Sequence, residues 1–201
     1  GISMKIYCTR SELNRAINNV SHSIPTRTPS PILEGILIET KDDRMYLTAT
    51  DTNMTIESNI PVDSEGDVSF VIEEKNFANI VSKLPEEEIL MDYNHEKNQI
   101  KINSGKSSST FNCFSADEFP RFNIGEGKKL ILSKRDIKNL IRKTSFSASA
   151  DELNGVLTGI LIELGDGNLR MVAVDTFRMA IYNAKVDTDE KMSIVVPAKL
   201  L

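Results

Sequence analysis

The sequence feature that most constrains the fold is an internal repeat with a fixed spacing. The segment Leu33-Glu-Gly-Ile-Leu-Ile-Glu39 returns 124 residues later as Leu157-Thr-Gly-Ile-Leu-Ile-Glu163. Without any gap, 10 of the 24 positions from 33 to 56 are identical to their counterparts from 157 to 180. A repeat of this length is large enough for a whole domain, so we expect two copies of one domain.

The spacing of the repeat also predicts where the domains begin and end. A polar Gly-Glu-Gly-Lys-Lys stretch at 125–129 is typical of a linker. We expect a first domain over residues 4–125 and an incomplete second domain over 128–201. Residues 1–3 are expected to be a tag remnant before a natural start at Met4.

Hydrophobic periodicity within one copy indicates both helices and strands. Alternation around Ile6 and Cys8 predicts a strand, which is followed by a helix capped by Ser11 and running to about Val20. A second helix is expected over Glu74–Leu84 and is ended by Pro85. Further strands are predicted at 32–40, 44–50, 53–60, 68–73, 88–93, 98–103 and 108–114. Each domain therefore reads β-α-β-β-β twice, an α+β class with mostly antiparallel sheets.

Composition excludes several classes of protein. The chain is 40% hydrophobic and 26% charged, which is typical of a globular domain and excludes disorder and a coiled coil. Two cysteines without a CxxC spacing form no disulfide framework and suit a reducing cytoplasm. The start Gly-Ile-Ser-Met lacks the charged and apolar regions of a signal peptide, and no apolar run is long enough to span a membrane, so we expect neither feature.

Catalytic motifs are scarce in this sequence. His22 and His95 have no second histidine or cysteine at metal-ligand spacing, which favours a structural or surface role and predicts no metal site. A hydrolase could use Asp51 and Asp175 as paired carboxylates, and this alternative stays open. The two aspartates are the same position in two repeats, so a role in strand-connecting turns competes with it.

Positive charge is concentrated on one predicted helix although the net charge is -5. The segment 133–143 carries five basic residues against one aspartate. Lys134, Lys138 and Arg142 recur at intervals of four and therefore share one helix face. A solvated face is one interpretation, and a phosphate-facing surface is the other.

Several segments in order resemble the bacterial beta sliding clamp, the processivity subunit of the replicative DNA polymerase. They are Pro31-Ile-Leu-Glu-Gly-Ile-Leu-Ile, Ala-Thr-Asp at 49–51, Ser-Ala-Asp-Glu-Phe-Pro at 115–120, Val-Asp-Thr-Phe-Arg-Met-Ala at 174–180 and Val-Val-Pro at 195–197. The resemblance implies the DNA clamp fold, with helices on one face and antiparallel sheets on the other. It implies a homodimeric ring of three-domain chains, of which the third domain is absent here.

The function implied by this resemblance is non-catalytic and requires no cofactor. The ring would slide on duplex DNA without reading its sequence, and would tether DNA polymerase III alpha subunit, the clamp loader and other proteins with clamp-binding motifs. A repeat-built protein-interaction module that never touches DNA remains an alternative. Beside Lys134, Lys138 and Arg142, the resemblance adds Arg27 as a DNA contact.

Two further sites are carried over from the resemblance. Positions matching the family's partner-peptide pocket are Leu157, Val174, Thr176, Phe177, Arg178 and Met179. Positions matching the ring-closing interface are Ile80, Leu84 and Phe111. Periodicity alone would assign both sets to the hydrophobic core, except that Phe111 alternates with Asn112 on a predicted edge strand.

Overall fold

The computed structural model describes residues 3–52, 54–121, 157–175, 178–185 and 192–197. These residues fall into two compact units, residues 1–51 with 57–120, and residues 52–56 with 121–201. In the first unit, the helices are α1 (Arg10–Ser21) and α2 (Glu74–Ser82). Its strands are β1 (Ser3–Thr9), β2 (Gly35–Lys41), β3 (Arg44–Thr50), β4 (Met54–Pro61), β5 (Asp63–Ser64), β6 (Ser69–Glu73), β7 (Glu88–Asn94), β8 (Gln99–Ser104), β9 (Ser107–Asn112) and β10 (Phe114–Ser115). Residues 54–56 of β4 are grouped with the second unit, and the rest of this strand with the first.

The described strands of the first unit form two sheets. One sheet is antiparallel in the order β5-β1-β7-β8-β9. The other contains β10, β6, β2, β3 and β4 in that order. Phe70 of one sheet stacks on Tyr93 of the other with ring centroids 4.6 Å apart. The expected mixture of helices and antiparallel sheets is thereby confirmed.

Both helices bury an apolar stripe in this core. Leu13, Ile17 and Val20 of α1 are fully buried, as are Phe77 and Val81 of α2. Their spacing of three to four residues places each set on one helix face. Burying side chains of this size stabilises the fold by about 1.5–3 kcal/mol each, which offsets the ordering entropy.

The second unit contains four described strands that match strands of the first. They are β11 (Leu157–Gly165), β12 (Asn168–Asp175), β13 (Arg178–Lys185) and β14 (Met192–Pro197). They pair antiparallel in the order β13-β12-β11-β14. Shifted by the repeat spacing, β2, β3, β4 and β6 overlay these four strands to within one or two residues.

The repeat extends to the hydrogen-bonding register of the hairpins. Lys41 pairs with Arg44 across the β2–β3 turn, and the corresponding Gly165 pairs with Asn168 across the β11–β12 turn. Likewise Gly35 pairs with Glu73, and Gly159 pairs with Pro197. The sequence repeat therefore reports repeated structure and not merely repeated composition.

Several predicted boundaries were wrong for local reasons. Thr9, not Ser11, caps α1, because the Thr9 hydroxyl accepts a hydrogen bond from the Glu12 amide at 3.4 Å. The strand expected at 32–40 begins only at Gly35, since Pro31 opens a 3₁₀ turn that ends at Glu34. Helix α2 ends at Ser82, before Leu84 and Pro85.

The strand expected at 108–114 is divided between the two sheets. Strand β9 ends at Asn112 and pairs with β8, whereas Phe114 and Ser115 pair with β6. The Cys113 amide, which lies between them, donates to the Asn98 carbonyl at 2.8 Å. The chain therefore crosses from one sheet to the other at Cys113.

Candidate functional site

The exposed face of α1 presents polar side chains to solvent. Ser11, Arg15, Asn18 and His22 are exposed and recur at helical spacing, opposite the buried stripe. Asn18 was not predicted from the sequence, although its spacing from Arg15 and His22 is the signal that places it on this face. The face suits hydrogen bonding to an anionic polymer, as amides and cations commonly do at phosphates.

Arg27 lies in the segment after α1 and is exposed. The end of α1 is held by backbone hydrogen bonds from Ser23 to Val20 and from Ile24 to Ser21. Farther along, the Ser30 amide donates to the Thr28 hydroxyl at 3.1 Å. Among the described residues no hydrogen bond or ion pair engages the Arg27 guanidinium, so it is available to a phosphate.

Arg10, at the start of α1, contacts other residues of the first unit and is less available to a phosphate. Its guanidinium donates to the Leu84 carbonyl at 2.8 Å and lies 3.5 Å from the Glu87 carboxylate. Glu87 in turn accepts from the amide of Ser11 at 2.9 Å and from its hydroxyl. Arg10 therefore joins the start of α1 to the end of α2, and its charge is locally neutralised.

Lys134, Lys138 and Arg142 lie outside the described residues. Of the other basic residues near α2, Lys75 and Lys83 are exposed. The described part of the candidate DNA surface thus consists of Arg27 and the polar face of α1.

Four of the six expected pocket positions meet at one end of three neighbouring strands. Leu157 begins β11 and pairs with Asp175 at the end of β12. Val174 pairs with Met179 of β13, whose first residue is Arg178. Thr176 and Phe177 fall in the β12–β13 connection, outside the described residues. The antiparallel register brings these positions together although they are up to 22 residues apart in sequence.

The expected interface residues differ in exposure. Phe111 lies on β9, at the edge of its sheet within the described residues, and Ile80 lies on α2; both are half-buried. Phe111 packs edge-on against Phe77 with ring centroids 6.5 Å apart. Leu84 is only 3% exposed, so it lies in the core of this unit.

The described residues offer little catalytic chemistry. Burial, together with the nearby negative charge of Glu12, raises the pKa of the Cys8 thiol to about 12. Burial also raises the pKa of the Cys113 thiol to about 12. Neither thiol therefore supplies a thiolate at neutral pH. Within the described ranges no three histidine, cysteine or acidic residues cluster as metal ligands.

Asp51 and Asp175 occupy equivalent places in the two units. Asp51 follows β3 and is half-buried, and Asp175 ends β12. Thr52, the next residue after Asp51, has a φ of 78°, a left-handed conformation that marks a tight turn. This turn geometry favours the structural interpretation of Asp51.

Neither helix in the described ranges combines the length and apolar character that a membrane span requires.

Comparison with known proteins identifies a single family over both units. Residues 4–123 match the family model of the DNA polymerase III beta subunit, N-terminal domain, and residues 131–201 match its central domain. The sequence is 35% identical to a beta sliding clamp of Halalkalibacterium halodurans, over 92% of this chain and 52% of that protein. It is 33% identical to that of Bacillus subtilis, over 98% of this chain and 55% of that protein.

Solved structures give the same result. The beta subunit of the Streptococcus pyogenes DNA polymerase superposes with a TM-score of 0.62 at 30% identity, covering 97% of this chain and 54% of that one. The chain spans about half the length of the curated relatives that it matches.

Proposed function

This chain belongs to the DNA polymerase III beta subunit family, the beta sliding clamps, and on that premise we propose that it is part of a bacterial processivity factor. In this proposal the full-length protein forms a homodimeric ring that encircles duplex DNA and slides along it. Clamp domains would occupy residues 4–125 and 128–201. The activity would reside in the bacterial cytoplasm, where the chromosome is replicated.

The observation that carries this proposal is the repeat, which the two units share down to strand register. A ring needs domains that follow one another with similar shape, and consecutive copies of one unit supply them. The polar face of α1 and the unengaged Arg27 support contact with phosphates. Such contacts are independent of sequence and are screened by salt, which permits sliding.

The clamp would act without catalysing a reaction. A ring that holds the polymerase at the template raises the local concentration of polymerase there. A polymerase that releases the template therefore rebinds before it diffuses away. We propose that polymerase III alpha subunit, the clamp loader and other motif-bearing proteins bind at Leu157, Val174 and Thr176 to Met179. Ring closure would use Ile80, Leu84 and Phe111. Family membership does not favour the alternative hydrolase that uses Asp51 and Asp175.

Retention on DNA of two topologies tests the proposal. The full-length protein, assembled on circular plasmid by its clamp loader, should remain bound through gel filtration and should dissociate when the plasmid is linearised. A sliding ring escapes only over a free end, which explains the difference. Linear DNA whose ends are blocked by bound protein is the control and should retain the clamp. Equal loss from circular and linear DNA would contradict the ring.

A further inference from the structure

An open groove lies in the first unit, away from the positions assigned above. It has a volume of about 630 Å³ and is lined by residues of β1, β7, β8 and the segment before β7. Tyr7, Leu90 and Asn103 pair in register across three strands, so their side chains share one sheet face. Tyr7 is 46% exposed, which makes it the most exposed large hydrophobic side chain in the described part of the chain. The floor of the groove is therefore partly apolar and accessible.

Two acidic residues, Glu86 and Glu88, also line the groove. These residues flank Glu87, whose carboxylate is bound by Ser11 and Arg10 on the other side of the chain. Within the described residues, the carboxylates of Glu86 and Glu88 form no hydrogen bond or ion pair. Two unengaged negative charges thus border a hydrophobic floor.

The backbone of Glu86 is hydrogen-bonded to Ser104, and Gly105 lies beside its side chain. Its amide donates to the Ser104 hydroxyl at 3.0 Å, and the same hydroxyl donates to the Glu86 carbonyl at 3.0 Å. A Cβ at Gly105 would lie 2.5 Å from the Glu86 carboxylate oxygen, so Gly105 and the Glu86 side chain are close neighbours in the groove. The φ of 55° at Gly105 favours glycine for the same position. The backbone that carries this exposed carboxylate is therefore fixed at the edge of the groove.

From this arrangement we propose that the groove binds an arginine-containing segment of a protein partner. A guanidinium can form paired hydrogen bonds with a carboxylate and can stack on an aromatic ring, and the groove presents Glu86, Glu88 and Tyr7 for both. In an extended peptide, residues two apart point to the same side. An Arg-x-apolar sequence would therefore place its cation between the glutamates and its apolar side chain on Leu90. This surface is separate from the proposed partner-peptide pocket, and the inference does not depend on the ring.

A tryptophan-containing peptide tests the groove directly, because the chain contains no tryptophan. The probe is acetyl-Arg-Ser-Trp-Ser-Arg-amide, whose fluorescence is followed as the full chain is added. We expect saturable binding that weakens as salt is raised. The double variant Glu86→Gln/Glu88→Gln should weaken binding about tenfold or more, since charge-assisted hydrogen bonds are lost. Both substitutions are isosteric and exposed, so the fold should persist.

Matched controls separate this site from general charge attraction. Glu96→Gln removes an exposed glutamate from the β7–β8 turn and should leave the affinity unchanged within about twofold. The peptide with glutamate in place of both arginines should not bind. Backbone amide NMR shifts caused by the probe should centre on residues 7, 86–90 and 103–105. Unchanged affinity in the double variant, or shifts centred elsewhere, would overturn the proposal, whereas retention of clamps on circular DNA would be unaffected by either result.

Discussion

Thr40 shows how one buried hydroxyl connects strand β2 to the segment that precedes β6. The residue is 4% exposed; its hydroxyl donates to the Gly66 carbonyl at 3.1 Å and accepts from the Val68 amide at 2.8 Å. The Thr40 amide also donates to the Val68 carbonyl at 3.0 Å. The side chain thus continues a backbone pairing just before β6 begins. A valine would have nearly the same shape but could make neither hydroxyl bond.

We predict that Thr40→Val lowers the free energy of unfolding by about 1–3 kcal/mol, because the buried Val68 amide loses its hydrogen-bond partner. Urea unfolding followed by circular dichroism measures the change. Thr110→Val, at an exposed position of β9, is the control and should stay within about 0.5 kcal/mol of the unmodified chain. Equal effects of the two substitutions would show that the Thr40 hydroxyl is not structural.

Glu57 and Glu87 should affect stability in opposite directions as pH changes. Burial, together with the nearby charge of Glu39, raises the pKa of Glu57. Hydrogen bonds from Ser11, with a smaller contribution from Arg10, lower the pKa of Glu87. The folded state therefore binds a proton more readily than the unfolded state at Glu57, and less readily at Glu87.

We predict that Glu57→Gln raises the Tm at pH 7, because the unfavourable buried charge is removed, and that this gain disappears in acid, where Glu57 is protonated in both states.

Glu87→Gln should lower the Tm at pH 7. The stabilisation from Glu87 is present above its unfolded pKa and is lost as pH falls through its folded pKa, so the two proteins should converge in acid. Thermal unfolding from pH 3 to pH 8 measures both effects. A parallel shift at every pH would contradict the assignment.

At the scale of elements, the two corresponding hairpin turns use different residues for one conformation. In the β2–β3 turn, Asp42 and Asp43 have φ values of 51° and 58°. In the β11–β12 turn, Asp166 and Gly167 have 52° and 72°. Both central residues are left-handed, as in the type I′ turns that match the twist of paired strands. Glycine adopts this conformation without the steric cost that aspartate carries.

We predict that Asp43→Gly stabilises the first unit by about 0.5–1 kcal/mol, because the left-handed position no longer carries a Cβ. The reverse change, Gly167→Asp, should destabilise the second unit by a similar amount. Hydrogen exchange of the strand amides in each hairpin measures the two effects separately. Loss of protection in the β2–β3 hairpin of Asp43→Gly would contradict the prediction.

A second comparison of elements shows that equivalent contacts can come from different positions. Asn59 and Asn183 correspond in the repeat, and each accepts a hydrogen bond from an arginine on the neighbouring strand. The donor is Arg44 at 2.7 Å in the first unit and Arg170 at 3.0 Å in the second. Arg44 corresponds to Asn168, not to Arg170. The strand geometry is therefore repeated while the side-chain network is not.

At the scale of the whole molecule, placement of charge matters more than its sum. A net charge of -5 argues against a general affinity for DNA, yet Lys134, Lys138 and Arg142 are predicted to share one helix face. Arg10, in contrast, already donates a hydrogen bond to the Leu84 carbonyl and forms an ion pair with Glu87. Counting basic residues therefore overstates the charge that α1 can offer to phosphates.

We predict that replacing Lys134, Lys138 and Arg142 together by alanine weakens DNA binding and lowers the slope of log K against log salt by about 2 to 3 in magnitude, one counterion for each lost phosphate contact. Fluorescence anisotropy with a labelled duplex at several salt concentrations measures the slope in the full-length clamp. Lys143→Ala, which lies about 140° around a regular helix from Lys138, is the control and should leave the slope unchanged. An unaltered slope in the triple variant would exclude these residues as phosphate contacts.

The sequence by itself determined the repeat, the α+β class, most strand positions and the family. Strand positions follow from apolar alternation and turn-forming dipeptides, which are both patterns of a few neighbouring residues. The repeat spacing then aligned β11 to β14 with β2, β3, β4 and β6. The meeting of Leu157, Val174 and Met179 at one strand end was also foreseeable, since hairpin register follows from turn length.

Only the tertiary structure decided how distant segments share side chains and sheets. It divided the strand expected at 108–114 at Cys113, assigned Arg10 to Leu84 and Glu87, and assembled the groove from Tyr7, Leu90 and Asn103. Each of these features depends on residues that are far apart in sequence. The local hydrophobic pattern of a strand does not change with the strand that it pairs with, and it carries no information about which partner a cation contacts. The choice is made by packing and by the need to satisfy buried polar groups, which act only once the chain is folded.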